Sequence, residues 1–367
     1  SNFLIGGVLV ALTHLIPGFA WYTYVQLLLI LVALTGIGHV ILERSYSAMG
    51  KIVLFVVIAF LGYEGYVTPG YMRVAITLTS AGMLMLVNSL IQGKKLVTVN
   101  NILAVVLIIL GSMYSFKIFI CSLIINIILT VIFIIVDKRH EIAEFFEQRG
   151  KKIIQYAIVV IAVTLVSTGL YAIDCLEYKN IDETGAILEY RDSYEKLLSY
   201  GYNSANEDIN WESFNSLYKK AKAKVTATAC GIEAKDVEKV LVRLEEISSN
   251  TKELSVDTAL SYFKLVPVRM FSVDIFYLWL ALTIVMLAFS NVRAKVIIPS
   301  AAILLIGLFI IYMTYSDWAY FVLFIPASLP MLLSTEKIEK GDWRITMAFV
   351  VVFFVILYSV FGWSLNT

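Results

Sequence analysis

Residues 116–136 read FKIFICSLIINIILTVIFIIV and run directly into Asp137, Lys138, Arg139 and His140. Within those 21 positions the only charge is Lys117, beside the start. A helix of that length rises about 30 Å, the thickness of a bilayer's hydrocarbon core. The stretch reads as a transmembrane helix ending in a cluster of basic residues, and the rest of the chain follows from it.

The 367-residue chain carries the same signature throughout, with 59% hydrophobic and 16% charged residues. Soluble proteins average roughly 45–50% and about 25%. A chain this apolar cannot cover itself with polar groups in water, which excludes a soluble enzyme, a disordered chain and a secreted disulfide scaffold. Apolar windows fall at 3–16, 19–42, 51–67, 71–92, 97–113, 116–136, 153–173, 272–291, 295–314, 318–334 and 345–364. The expected fold is all-α: a polytopic membrane protein of about 11 spans. The first window stops at Pro17-Gly18, a turn dipeptide. Ser1-Asn2 reads as a trimmed start, and the short tail after the last window leaves room for one further terminal helix. A signal peptide would need a basic leading region, which the first window lacks.

The charges are unevenly placed. Residues 174–270 hold 17 acidic and 13 basic residues, while the other 270 positions share 27 charges. The expected division is therefore a seven-span region at 1–173, a polar domain at 174–270 and a four-span region at 271–367. The net charge of +1 averages about −4 on the insert and about +5 on the membrane part. Neither value suits nucleic acid, whose backbone needs a concentrated basic surface.

Lys and Arg in short loops fix the expected orientation. One side holds Arg44, Lys51, Lys94, Lys95, Lys138, Arg139, Arg149, Lys151, Lys152, Arg293, Lys295, Lys337, Lys340 and Arg344; the other holds Arg73 and Lys117. The basic side is expected in the cytoplasm of a plasma (inner) membrane protein, with 174–270 extracytoplasmic. The longest cytoplasmic connection, 137–152, reads as a helix along the headgroups, with Ile142, Phe145 and Phe146 as its apolar edge and basic residues meeting anionic lipid.

The insert reads as three or four short amphipathic helices, at about 185–200, 211–224, 232–247 and 255–265, the last opening at Ser255, an N-cap residue. Cys121 lies inside a span as an apolar filler. Cys175 and Cys230 are the disulfide candidate, closing a loop of about 55 residues; the alternative is two free thiols.

Catalytic signatures are sparse. The three histidines, His14, His39 and His140, fall outside the insert. There is no HExxH, no zinc-ligand spacing, no GxSxG elbow and no phosphate-binding glycine loop. No metal or cofactor is expected. Ionisable residues do recur at the extracytoplasmic ends of spans. Glu64, Asp274 and Asp317 are candidate catalytic carboxylates, any of which can act as a general base. Arg73, Lys117 and Arg269 are candidates for holding a phosphate-bearing head group. The plainer alternative is that charges mark span ends because water begins there.

Many spans, little cytoplasmic chain and one large outward loop after the seventh span resemble the O-antigen ligases and saccharide polymerases, and the shape-and-division peptidoglycan polymerases. The likeness is one of topology, without a shared motif, and the absence of histidine in the insert departs from the ligase pattern. It implies a glycosyltransferase acting on a polyprenyl-pyrophosphate-linked saccharide at the outer face. The alternative is a non-enzymatic scaffold, sensor or transport subunit whose insert binds a protein partner. Dense mixed charge in 174–270 favours the second.

Overall fold

The structure, a computed structural model, describes residues 3–44, 48–67, 70–138, 140–179, 298–307 and 318–333, with 275, 276, 279, 280 and 283. Among these the chain is all-helical, without a strand. The helices are α1 (Phe3–Leu15), α2 (Trp21–Arg44), α3 (Ala48–Val67), α4 (Tyr71–Gln92), α5 (Val99–Tyr114), α6 (Phe116–Asp137), α7 (Ile142–Lys179), α8 (Ile298–Gly307) and α9 (Trp318–Leu333). The helices expected within 185–265 lie outside the described residues. The contacts described below belong to one compact unit, Ser1–Tyr171 with Val266–Phe309 and Asp317–Thr367.

Among the described residues four helices are long and apolar enough to cross a membrane: Trp21–Arg44, Tyr71–Gln92, Phe116–Val136 and Ile142–Glu177. Their surfaces agree with that reading. Leu28, Leu31, Leu42, Ile124, Ile127 and Val131 are exposed, and so are Ile154, Ile158, Ile161 and Leu165, spaced three and four apart along one face of α7. A continuous apolar surface of this kind is unfavourable in water and at home in lipid. α1 has no buried residue at all.

α4 is the centre of the bundle. It packs against α2, α5, α6 and α9, and every residue from Val74 to Leu90 is buried. Its polar members therefore face protein. The Thr79 hydroxyl donates to the Ala75 carbonyl at 2.8 Å. The Asn126 amide of α6 donates to Ser80 Oγ at 3.1 Å and to the Ser122 carbonyl at 2.8 Å.

Small residues set how close the helices come. A Cβ on Gly82 would stand 2.6 Å from the Ala104 carbonyl oxygen of α5. One on Gly111 would stand 2.6 Å from Thr79 Oγ1 and 3.0 Å from the Ala75 carbonyl. The two glycines serve opposite directions of one antiparallel contact, each admitting the other helix's backbone.

The ends are capped locally. α4 stops at Gly93, which takes φ 67°, and the amides of Gly93 and Lys94 return to the carbonyls of Leu90 and Ser89, both at 3.0 Å. Thr98 caps α5 by accepting from the Asn101 amide at 3.2 Å. Ser115, in extended geometry, separates α5 from α6.

One expectation needs correction. The stretch 137–152 does not form its own interfacial helix: α7 is continuous over 38 residues from Ile142 to Lys179. The break comes earlier, at the Lys138–Glu141 turn, where the Glu141 amide bonds the Lys138 carbonyl at 2.8 Å. A helix of that length rises about 57 Å, well beyond a hydrocarbon core of about 30 Å. The supposed apolar edge is also divided, since Phe145 is buried while Phe146 is exposed.

The α4–α5 contact can be tested with the smallest possible intrusion. Gly82→Ala places its methyl against an immovable backbone carbonyl and should destabilise by about 1–3 kcal/mol. Gly169→Ala in α7, with nothing within 4 Å, should be neutral or gain up to about 1 kcal/mol. Thermal unfolding of the two detergent-solubilised variants compares them, and equal stability would remove the close-approach account.

Candidate functional site

Polar groups gather at both ends of the bundle. At one end, α2, α4 and α9 finish and α5 begins. Arg44, the last residue of α2, is 6% exposed. Its Nε donates to Asn88 Oδ1 at 2.6 Å and its Nη1 to the Leu333 carbonyl at 2.8 Å. Leu333 is the last described residue of α9, so the guanidinium binds a backbone carbonyl in the final described turn of that helix. Asn88 passes the interaction on: its Nδ2 donates to Glu43 Oε2 at 2.9 Å. The other Glu43 oxygen pairs with Lys94. One acid, one amide and two cations thus form a connected chain that ties α2 to α4 and α9.

The surrounding residues extend this network. His39 Nε2 lies 2.8 Å from the Asn100 amide nitrogen. Asn101 Nδ2 reaches the Leu96 carbonyl at 2.8 Å and the Tyr156 hydroxyl at 3.0 Å, joining α5 to α7. Lys152 donates to the Gly93 carbonyl. Next to Asn126, a cavity of about 10 Å³ is lined by Met83, Leu84, Val87, Thr130, Phe133 and Leu333. That is room for about one water molecule.

The opposite end is aromatic. Arg73, in the first turn of α4, holds its guanidinium carbon 4.2 Å from the centre of the Phe321 ring of α9, a cation–π contact. One turn deeper, Phe324 packs on Phe276 and Trp279 at 5.4 and 5.5 Å. Three buried polar atoms at this end, Gln26 Nε2, Tyr114 Oη and Trp279 Nε1, meet no well-formed hydrogen-bond partner among the described residues. Gln26 sits one helical turn after Tyr22, at the same end of α2.

Of the residues singled out from sequence, Arg73 is half-buried against Phe321 and Lys117 is exposed in the first turn of α6. Glu64 belongs to the last turns of α3. Asp274, Arg269 and Asp317 lie outside the described residues. Cys121 and Cys175 carry free thiols; Cys230, the suggested partner of Cys175, lies outside the described residues. Among the described residues no group of three His, Cys, Asp or Glu side chains could hold a metal ion.

Sequence reasoning passed over the Glu43–Arg44–Asn88–Lys94 chain. Arg44 and Lys94 counted there only as loop charges, and Asn88 not at all. The available signal was Glu43, an acid lying among basic residues at a span end. No family model, no curated protein and no solved structure matches this chain.

The network makes an unequal prediction. Arg44→Ala strands a buried carbonyl and a buried amide oxygen and should destabilise by about 2–4 kcal/mol. Glu43→Gln keeps its acceptor for Asn88 and loses only a part-exposed ion pair, at a cost below about 1 kcal/mol. Denaturant titration in detergent measures both, and a Glu43→Gln cost equal to that of Arg44→Ala would contradict the assignment.

Proposed function

We propose that this chain is a multi-pass protein of the plasma (inner) membrane, with residues 174–270 on the extracytoplasmic side. It works there as a glycosyltransferase of the polymerase or ligase type on a lipid-linked saccharide. Support for the orientation comes from the distribution of cations. Arg44, Lys94, Lys95, Arg149 and Lys152 gather at one end of the bundle, and Arg73 and Lys117 mark helix starts at the other.

The observation that carries the functional reading is Arg73 over Phe321. Stacking engages the flat face of a guanidinium, whereas oxygen anions are bound through its N–H edge. An aromatic ring under Arg73 therefore orients the group that a pyrophosphate requires. In this reading Arg73 and Lys117, with Arg269, neutralise the charge that develops on the departing pyrophosphate. A carboxylate, Glu64, Asp274 or Asp317, takes the proton from the acceptor sugar's hydroxyl as its oxygen attacks the anomeric carbon.

A second reading, a non-enzymatic scaffold or transport subunit with a protein partner at 174–270, draws on the close packing around α4. A helix buried from Val74 to Leu90 and locked by backbone contacts suits a rigid platform.

Arg73→Gln and Lys117→Gln, made singly in cells that produce the protein, separate the two. The enzyme reading expects surface-polymer synthesis to fall at least about tenfold with membrane expression intact, and Glu64→Gln, if Glu64 is the base, to cost about 100-fold or more. Unchanged synthesis in all three leaves the scaffold. Orientation has its own check: a membrane-impermeant maleimide should label Cys230 in intact cells, and labelling only after permeabilisation would invert the scheme.

A further inference from the structure

Two segments distant in sequence bring cations together at the Arg44 end. The first is the α4–α5 loop, with Lys94 and Lys95 following Gly93. The second is the early part of α7, with Arg149, Lys151 and Lys152. They are tied directly: Lys152 donates to the Gly93 carbonyl, and the Arg149 guanidinium lies against Gly93 in the space a Cβ would fill. Gly93 is glycine because its φ of 67° is left-handed.

The contacts use these cations unequally. Lys94 is paired with Glu43 and Lys152 with a carbonyl. The side chains of Arg149, Lys95 and Lys151 make no ion pair or hydrogen bond among the described residues. Arg149 is half-buried, with five donors to satisfy, while Lys95 and Lys151 are exposed. The acids of the same helix turn elsewhere. At 100° per residue, Glu144 and Glu147 lie roughly 140° and 160° around α7 from Arg149, and Glu144 is bonded to Gln148 at 2.8 Å. Glu141 stands about 12 Å further along the axis.

Immediately beyond Lys95 the surface becomes apolar. Val97, Val99 and Ile102 are exposed by 79%, 81% and 56%, large values for branched aliphatic side chains at the opening of an apolar helix. A ligand fitting both features has an anionic head and a hydrocarbon body.

We propose that the basic surface formed by the Gly93–Leu96 loop and the early part of α7 binds the phosphate of an anionic phospholipid. Arg149 and Lys95 hold the phosphate oxygens, and an acyl chain runs over Val97, Val99 and Ile102. A planar arginine donor fork suits phosphate, and the exposed valines specify a lipid rather than a soluble anion. The site stands apart from the Arg73 end and does not depend on the reading given to it.

The full chain in detergent, supplied with phosphatidylglycerol or phosphatidylcholine of matched acyl chains, tests this by native mass spectrometry and thermal unfolding. Phosphatidylglycerol should be retained at least about fivefold over phosphatidylcholine and should raise the unfolding temperature. Each of Lys95→Gln and Arg149→Gln should lower that ratio about fivefold, the effect of one cation near an anionic surface. The Lys95 side chain is exposed and makes no hydrogen bond or ion pair among the described residues, so its variant remains informative should Arg149→Gln disturb folding. Equal retention of the two lipids by the wild type, or a ratio untouched in both variants, overturns the proposal. Equal stabilisation by inorganic phosphate alone would overturn its assignment to a lipid.

Discussion

Within a bilayer an apolar side chain gains little by exchanging lipid for protein, so helices associate through close packing and interhelical hydrogen bonds. The contact of α4 with α5 meets this constraint through Gly82 and Gly111, each of which admits backbone of the other helix to within 2.6–3.0 Å of where a Cβ would stand. The rest of the bundle is arranged around that contact. With α5 so close on one side, α4 is enclosed by α2, α6 and α9 on the others and is buried from Val74 to Leu90. A helix so enclosed can carry Thr77, Thr79, Ser80, Asn88 and Ser89 without showing them to lipid.

Those polar residues then link its neighbours. Ser80 meets Asn126 and Ser122 of α6 in mid-bundle, and Asn88 meets Arg44 and Glu43 of α2 at the end. Each is an interhelical bond in a setting where an unmade one is costly. The surface follows the opposite rule. Of the four long apolar helices among the described residues α7 is the least buried, with isoleucine and leucine along its outer face, while Tyr156 on its inner face bonds Asn101.

Much of the bundle was legible in the sequence, because length and hydropathy are one-dimensional properties. Each of the first seven apolar windows contains a helix, and the Gly93 and Thr98 boundaries of α4 and α5 are local backbone chemistry that residue type announces. The continuity of α7 was not legible. The charges between Asp137 and Lys152 suggested a separate surface helix, but charge does not stop a helix, and Gly150 interrupts it only weakly. Partnerships were least legible of all. Arg44 and Leu333 are 289 positions apart, and no periodicity links an arginine at one span's end to a carbonyl at another's. The outward charges were proposed as a group because they share a depth. Depth is readable from the chain, whereas convergence on a common point depends on rotation and neighbours, as the pairing of Arg73 with Phe321 illustrates.

The two ends of the bundle hold their arginines by different physics, and the difference bears on what each arginine can do. At the Arg44 end the donors are directed at a carbonyl and an amide oxygen, 2.6–2.8 Å away and buried. A guanidinium so engaged acts as a fastener, and moving it would take a donor from two buried acceptors. At the Arg73 end an aromatic ring lies 4.2 Å from the guanidinium carbon. A π-face attracts the cation without accepting a conventional N–H···O bond, so the ring contact fixes the plane of the group. Carbonyl-held and ring-held arginines therefore join helices by different means in one protein: the first ties α2 to α4 and α9 through directed hydrogen bonds, and the second stacks α4 on α9.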